Sequence, residues 1–250
     1  MTVPRMLGHR LVATSLLYTG DFEEGRTHLD RAIALYDPVE HRPLATRFGQ
    51  DAAVSILCYR SWVLWFLGYP EAALTDTEHA LRDAREIGHA ATLMYALVHA
   101  SLAHSYCGIY AAANAEAAED VALANEIGSL FWAAFGTTAQ GFVSALTGKV
   151  SDAVQTIASG LAALRPTGTR MWLPLYLSSL AGAYAELGQF DDAWRCIEEA
   201  RTTMETTKER WWEAEAHRTA GEALDQQDVG LGEPLQRRLQ RRVLRPRHRA

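Results

Sequence analysis

Cysteine is scarce in this 250-residue chain, which holds Cys58, Cys107 and Cys196 and no others. They are odd in number and far apart, and none belongs to a C-x-x-C pair. A disulfide framework or thiolate metal centre therefore has nothing to build on, and the three read as small buried hydrophobes in a reducing compartment. Prolines are few inside the periodic stretches. Pro4, Pro38, Pro43, Pro70, Pro166 and Pro174 fall at or near expected helix ends, where a missing N–H does little harm. No apolar run reaches the roughly 18 residues of a membrane helix, and no basic-then-apolar leader opens the chain. A soluble, cytoplasmic protein with no membrane contact is expected.

The common catalytic signatures are missing too. There is no G-x-x-x-x-G-K-[ST] or G-x-G-x-x-G phosphate loop, no G-x-S-x-G elbow and no H-E-x-x-H pair. The nine histidines are scattered. His99 and His104 are five apart and point to different faces of a helix. The acidic pairs Asp191-Asp192 and Glu198-Glu199 are adjacent, and adjacent helical residues do not face one another. The chain is read as non-catalytic, with no cofactor and no metal. No stretch alternates with period two for long enough to make a strand.

A ladder of glycines is present instead. Gly68, Gly108, Gly148 and Gly188 are spaced by 40 residues, and Gly20 stands 48 before Gly68, with Asp37–Pro43 as an insertion in that first gap. A fixed period of this size marks a repeat array. Seven residues before each glycine stands a small residue: Ala13, Ser61, Ser101, Gly141 or Ala181. Five after stands Gly25, Ala73, Ala113, Ala153 or Ala193. Two after stands Phe22, Pro70, Tyr110, Val150 or Phe190, a residue able to cover a turn. Paired helices need small residues where their axes come closest, and a glycine ends a helix in the left-handed conformation without steric cost. Asp191-Asp192, Glu23-Glu24 and Glu71 then open the following helices, where negative charge meets the positive end of the dipole. Gly88, Gly128 and Gly168 form a second ladder of the same period and mark the turns between one hairpin and the next.

The expected architecture is all-α, an α-solenoid of stacked antiparallel helix pairs in units of about 40 residues. Helices are expected at 3–19, 22–36, 46–67, 71–87, 90–107, 110–127, 130–147, 150–164, 170–187, 190–207 and 210–226. Apolar stripes such as Ile56, Tyr59, Val63 and Phe66 supply the buried faces. Residues 1–227 are read as five units plus the first helix of a sixth, and 228–250 as an Arg-rich tail, either disordered or a short amphipathic helix carrying Leu235, Leu239 and Val243. The net charge of −6 is uneven: residues 225–250 carry seven arginines against Asp225, Asp228 and Glu233, so the array itself is acidic. Nucleic acid is not an expected partner.

A third ladder of period 40, Trp132, Trp172 and Trp212, recurs near the start of the first helix of a unit, and Trp62 and Trp65 add two more on the equivalent helix of the second unit. Such tryptophans either fill the core between repeats or line a binding groove as anchors.

The run from Ser179 to Ala193, with Tyr184, Leu187-Gly188, Phe190, Ala193 and then Ile197 and Ala200, resembles the tetratricopeptide repeat. Gly20-Asp21-Phe22 with Leu29 and Ala32, and Gly148 with Ala153 and Ile157, match less fully. The unit here is longer than the 34 residues of that repeat. The hairpins and the Trp211–Glu215 run are similar to the C-terminal helical regions of bacterial class III adenylate/guanylate cyclase–ATPase proteins and of ATP-dependent transcriptional activators.

The resemblance implies a non-catalytic protein–protein interaction module, the sensor or scaffold part of a bacterial signalling or regulatory system. Its alternative is a detached regulatory region that binds a small effector or controls a cyclase or ATPase partner. The resemblance also implies a concave groove lined from the first helix of each pair. By offset from each glycine that groove takes Trp62, Trp65 and Phe66, then Tyr95 and Tyr106, then Phe135 and Phe142, with Leu175, Ser178, Gly182 and Glu186 further along. Trp62, Trp65, Tyr106 and Phe142 are expected to be at least partly exposed there. The set is apolar and nearly free of Lys and Arg, which suits a protein or peptide with apolar anchors and departs from the clamps that hold a terminal carboxylate. Gly20, Gly68, Gly108, Gly148, Gly188 and Ala193 are structural positions of the repeat.

Overall fold

A computed structural model of the chain describes residues 2–230. Every regular element among them is helical. The first hairpin is α1 (Thr2–Thr19) and α2 (Phe22–Ala34). Four more follow: α5 (Ala52–Phe66) with α6 (Pro70–Ile87), α7 (Ala90–Tyr106) with α8 (Tyr110–Glu126), α9 (Leu130–Leu146) with α10 (Val150–Leu164), and α11 (Leu173–Glu186) with α12 (Phe190–Thr207). A last helix, α13 (Glu213–Gly230), begins a sixth unit. Short helices α3 (Pro38–His41) and α4 (Ala45–Phe48) occupy the insertion between the first two hairpins.

The ladder residues explain the hairpins. Gly20, Gly68, Gly108, Gly148 and Gly188 all have left-handed φ, between 73° and 92°. Each is followed by the same bond, from the next amide back to the carbonyl five residues earlier: Asp21 to Leu16, Tyr69 to Leu64, Ile109 to His104, Lys149 to Ser144 and Gln189 to Tyr184, at 2.8–2.9 Å. That bond closes a helix C-terminus on orphan carbonyls. The turn-covering residues Phe22, Pro70, Tyr110, Val150 and Phe190 are the first residues of the five second helices. The small residues meet at the crossings: Ser101 Oγ donates to Ala113 O at 2.8 Å, and a Cβ on Gly141 would lie 2.6 Å from Ile157 Cγ1. Ala13, Ala181 and Ala193 have no exposed surface.

First helices pack on first helices, α5 on α7, α7 on α9, α9 on α11 and α11 on α13, and so form a continuous inner layer. The central ones are largely apolar because they are covered on most sides, and in α7 every residue from Met94 to Ser105 is buried, whereas the end helices α1 and α13 keep exposed polar residues. The second helices form the outer layer and are amphipathic, as α12 shows with Ala193, Cys196 and Ala200 inward and Asp192, Arg195 and Glu199 outward.

Two boundaries differ from the sequence reading. The single helix expected over 46–67 is broken, because Gly49 turns left-handed at φ 83° and Asp51 starts a new helix by accepting from Val54 N at 3.1 Å. Asp51 is anchored besides by Tyr36 Oη, which donates to it at 2.8 Å. At the far end the helix expected to stop at 226 continues. With no glycine there to break it, α13 runs on to Gly230 and buries Asp228. The expectations for Leu235, Leu239, Val243 and the arginines around them lie outside the described residues.

The second glycine ladder has an unexpected member. Gly88, Gly128 and Gly168 are left-handed as expected, and the position 40 further on is Lys208, which adopts the same conformation at φ 64°. Lys208 and Trp172 are the non-glycine residues with positive φ among those described.

Candidate functional site: the inner aromatic axis

The inner helices turn their aromatic side chains toward a common axis, and the superhelix is tight enough for these to meet across it. Trp62 of the second unit reaches Trp172 of the fifth, with ring centres 5.2 Å apart. Trp172 Nε1 donates to Tyr18 Oη of the first unit at 3.0 Å, over 154 residues of sequence. Tyr95 and His99 stack at 4.0 Å, and His99 stacks in turn on Trp62 at 4.7 Å. Burial holds the His99 imidazole neutral, down to about 3, while its Nδ1 donates to Tyr95 O at 2.8 Å. A second line of contacts runs from Trp65 to Tyr106 at 4.8 Å and on to Trp212 at 5.7 Å.

Residues 208–212, between α12 and α13, enter this axis. The indole of Trp211 stacks on Trp62 at 5.8 Å with the rings 7° from parallel, and lies edge-on to Phe66 at 5.9 Å and to Tyr18 at 6.0 Å. Arg210 N and Trp211 N both donate to Tyr18 O, at 2.7 and 3.3 Å. Trp211 Nε1 donates to Glu209 Oε2 at 3.3 Å, and burial raises the Glu209 carboxyl above its ordinary range.

The structure corrects the expected exposure of Trp62 and Phe142 and leaves Trp65 and Tyr106 partly exposed, as expected. Trp62 and Phe135 have no exposed surface, and Tyr95 and Phe142 are buried to within 6%. Trp65, Phe66 and Tyr106 are half-buried. All seven side chains belong to the inner layer; Trp62, Trp65, Phe66, Tyr106 and Phe142 contact one another or the 208–212 turn, while Tyr95 packs on His99 and Phe135 on Trp172. The two roles weighed for the tryptophan ladder divide along it: Trp172 is core, while Trp132 and Trp212 are half-buried. Tyr18 escaped the sequence reading, although it stands two before Gly20 as Phe66 and Tyr106 stand two before theirs. Nothing local announced that Trp211 would return to the first unit.

Part of the inner face stays open. Between α9, α11 and α13 lies a cavity of about 130 Å³. Phe142, Ala145, Leu175 and Trp212 give it an apolar floor, and Glu186, Glu215, Arg218 and Glu222 stand at its rim. Arg218 bonds both carboxylates of its own helix, donating from Nε to Glu215 Oε2 at 2.8 Å and reaching Glu222. Three acids against one base leave the rim negative. Trp212 Nε1 and Tyr106 Oη, beside this cavity and the axis, are buried with no hydrogen-bond partner. Five of the offset-mapped residues, Phe142, Leu175, Ser178, Gly182 and Glu186, line it. Among the described residues no three His, Cys, Asp or Glu side chains come together as metal ligands do, and no helix is long and apolar enough to cross a membrane.

No protein-family model and no curated protein matches the sequence. Solved structures do match the fold. The apo form of RapI superposes with a TM-score of 0.57 at 10% identity, over 90% of this chain and 76% of that one. A Rap protein complexed with Competence and Sporulation Factor gives 0.55 at 14% identity, over 90% and 65%. The TPR-like repeats of a putative kinesin light chain from Podosopora anserina give 0.51 at 15% identity, over 82% and 96%. The chain has the fold of tetratricopeptide-like helical-repeat proteins. At 10–15% identity the likeness is one of architecture, and an elongated array of helical hairpins is an architecture that presents extended surfaces.

Proposed function

We propose that the chain is a non-catalytic interaction module that holds a protein or peptide partner in the inner groove between α9, α11 and α13, as the sensor or scaffold part of a bacterial signalling or regulatory system. The observation that carries this reading is the open end of the inner face. It has an apolar floor the size of one large side chain under a negative rim, with the unpaired Trp212 Nε1 donor beside it. Small-molecule sites usually measure about 300–1,000 Å³. A 130 Å³ cavity fits a single apolar anchor instead, and anchors of that kind carry most of the affinity at protein interfaces. The rim favours an anchor flanked by basic residues. A Rap protein with a similar array was solved in complex with Competence and Sporulation Factor, which supports the same use here. A cyclase or ATPase as the partner rests on the sequence resemblance alone.

The test fills the groove. A Cβ on Gly182 would touch only Thr219 Cγ2, at 3.8 Å, so Gly182→Leu occupies the cavity while α11 and α13 keep their places. A photo-crosslinker at the exposed Glu186 should capture a partner that one at Glu78 on the outer face does not. Gly182→Leu should abolish that capture with an unchanged melting temperature. Capture that survives Gly182→Leu removes the groove as the site.

A further inference from the structure

The contact between the two ends of the array is of an unusual kind. α1 does not pack along α11, α12 or α13. The ends meet through the 208–212 turn and through Trp172, whose Nε1 donates to Tyr18 Oη, and the turn contributes both backbone hydrogen bonds and a buried side chain. It presents two successive amides to Tyr18 O, a carbonyl in the last turn of α1 that has no helical partner. The equivalent carbonyls of the later units, such as those of Phe66 and Tyr106, receive no such bond among the described residues. It inserts one indole, Trp211, between Trp62, Phe66 and Tyr18. The positive-φ residues Lys208 and Trp172 stand at the two sides of this contact, one opening the turn and the other bonded to Tyr18. Left-handed backbone at residues other than glycine costs energy and persists where surrounding contacts enforce it; it collects at clamps and switch regions.

We propose that the inner face of the first two units is a receptor for a tryptophan-bearing turn, that residues Lys208–Trp212 occupy it as an intramolecular ligand, and that a partner of the same chemistry enters by displacing them. The partner is a peptide turn that offers a tryptophan side chain and two adjacent free backbone N–H groups. This rests on reading the inner face as an interaction surface, and extends it from the open groove of units four to six to the filled half of the axis.

The experiment measures opening first. Amide hydrogen exchange on the full chain should show Arg210 and Trp211 exchanging at least about 100-fold faster than Val98 and Leu102 in α7, and independently of low urea, because the turn leaves without unfolding the array. Equal rates and equal urea dependence would make the turn ordinary core and overturn the proposal. A labelled synthetic peptide of residues 205–215 then serves as the probe. It should bind Trp211→Ala at least about ten-fold more tightly than wild type, whose receptor is occupied, and binding should vanish when the peptide's own Trp211 is alanine. A folded Trp211→Ala that binds no peptide also overturns the proposal. Should Trp211→Ala fail to fold, Tyr18→Phe removes only the hydroxyl that Trp172 bonds. It should speed exchange at Arg210 and Trp211 and leave α7 unchanged, and uniform acceleration again rejects the receptor. Loss of the Glu186 capture with local opening intact would end the proposed function and leave this receptor standing; the reverse result would do the opposite.

Discussion

Asp120 offers the sharpest test of the packing. It lies on α8 with no exposed surface, and neither carboxylate oxygen has a hydrogen-bond partner. It faces Gly136 of α9, so closely that a Cβ there would stand 2.5 Å from Asp120 Oδ2. Burial raises its pKa to about 8, with the Gly136 amide pulling weakly the other way. An unfolded aspartate titrates near 3.9. A folded pKa above the unfolded one means stability that is complete below about pH 4 and is lost as pH rises through about 8. Each pH unit in that window removes up to about 1.4 kcal/mol, so the whole window has a ceiling of roughly 6 kcal/mol, and relaxation of the site brings it to a few. Asp120→Asn cannot ionise. Its extra N–H lacks an acceptor, at a cost of about 1–3 kcal/mol. The variant should therefore be no more stable than wild type at pH 5 and more stable by about 1–3 kcal/mol at pH 8. Urea melts followed by circular dichroism at pH 5, 6, 7 and 8 read this directly. Glu116 and Glu209, also raised by burial, drift equally in both proteins and cancel in the difference. A wild-type-minus-variant difference that stays flat from pH 5 to 8 would show that the Asp120 carboxyl is charged in the fold and the reasoning wrong.

Other outcomes follow from the backbone and the crossings. Lys208→Gly keeps the left-handed end of α12 without a side-chain penalty and should add about 0.5–1 kcal/mol; a lower melting temperature would mean that the lysine side chain is needed there. Gly160→Ala should remove about 1–3 kcal/mol, since a Cβ there collides with Thr138 Oγ1 and lies 2.9 Å from Thr138 N; an unchanged melting temperature would show that α9 and α10 separate freely.

The hairpins were legible because their determinants are local and repeat. A left-handed glycine, a turn-covering residue two later and small residues at −7 and +5 lie within twelve positions of one another, and each recurs at a fixed period. The register of the two layers follows from those positions, and Ala181 and Ala193 take the buried places it assigns. Where the period breaks, the reading slips. The insertion before α5 hid a helix end set by Gly49 and Asp51. The turn expected between 207 and 210 forms, although lysine stands at the ladder position and takes the left-handed conformation there.

The site was half legible for a different reason. Repeat offsets say which side chains leave the inner face of each unit, and they do not say how sharply the stack curves. Curvature depends on small rotations at every interface, summed over the array. Here the sum brings unit five onto unit two and residue 211 onto Tyr18. An aromatic set that would line an open groove in a flatter array thus becomes a packed axis. Among the described residues the stretch beyond Phe142, where the inner positions shrink to Ala145, Ser178 and Gly182, keeps an open cavity. Residue size along the inner ladder, large in units two to four at Trp62, Tyr106 and Phe142 and small in the fifth at Ser178 and Gly182, is therefore the sequence feature that separates the filled part of the axis from the open one.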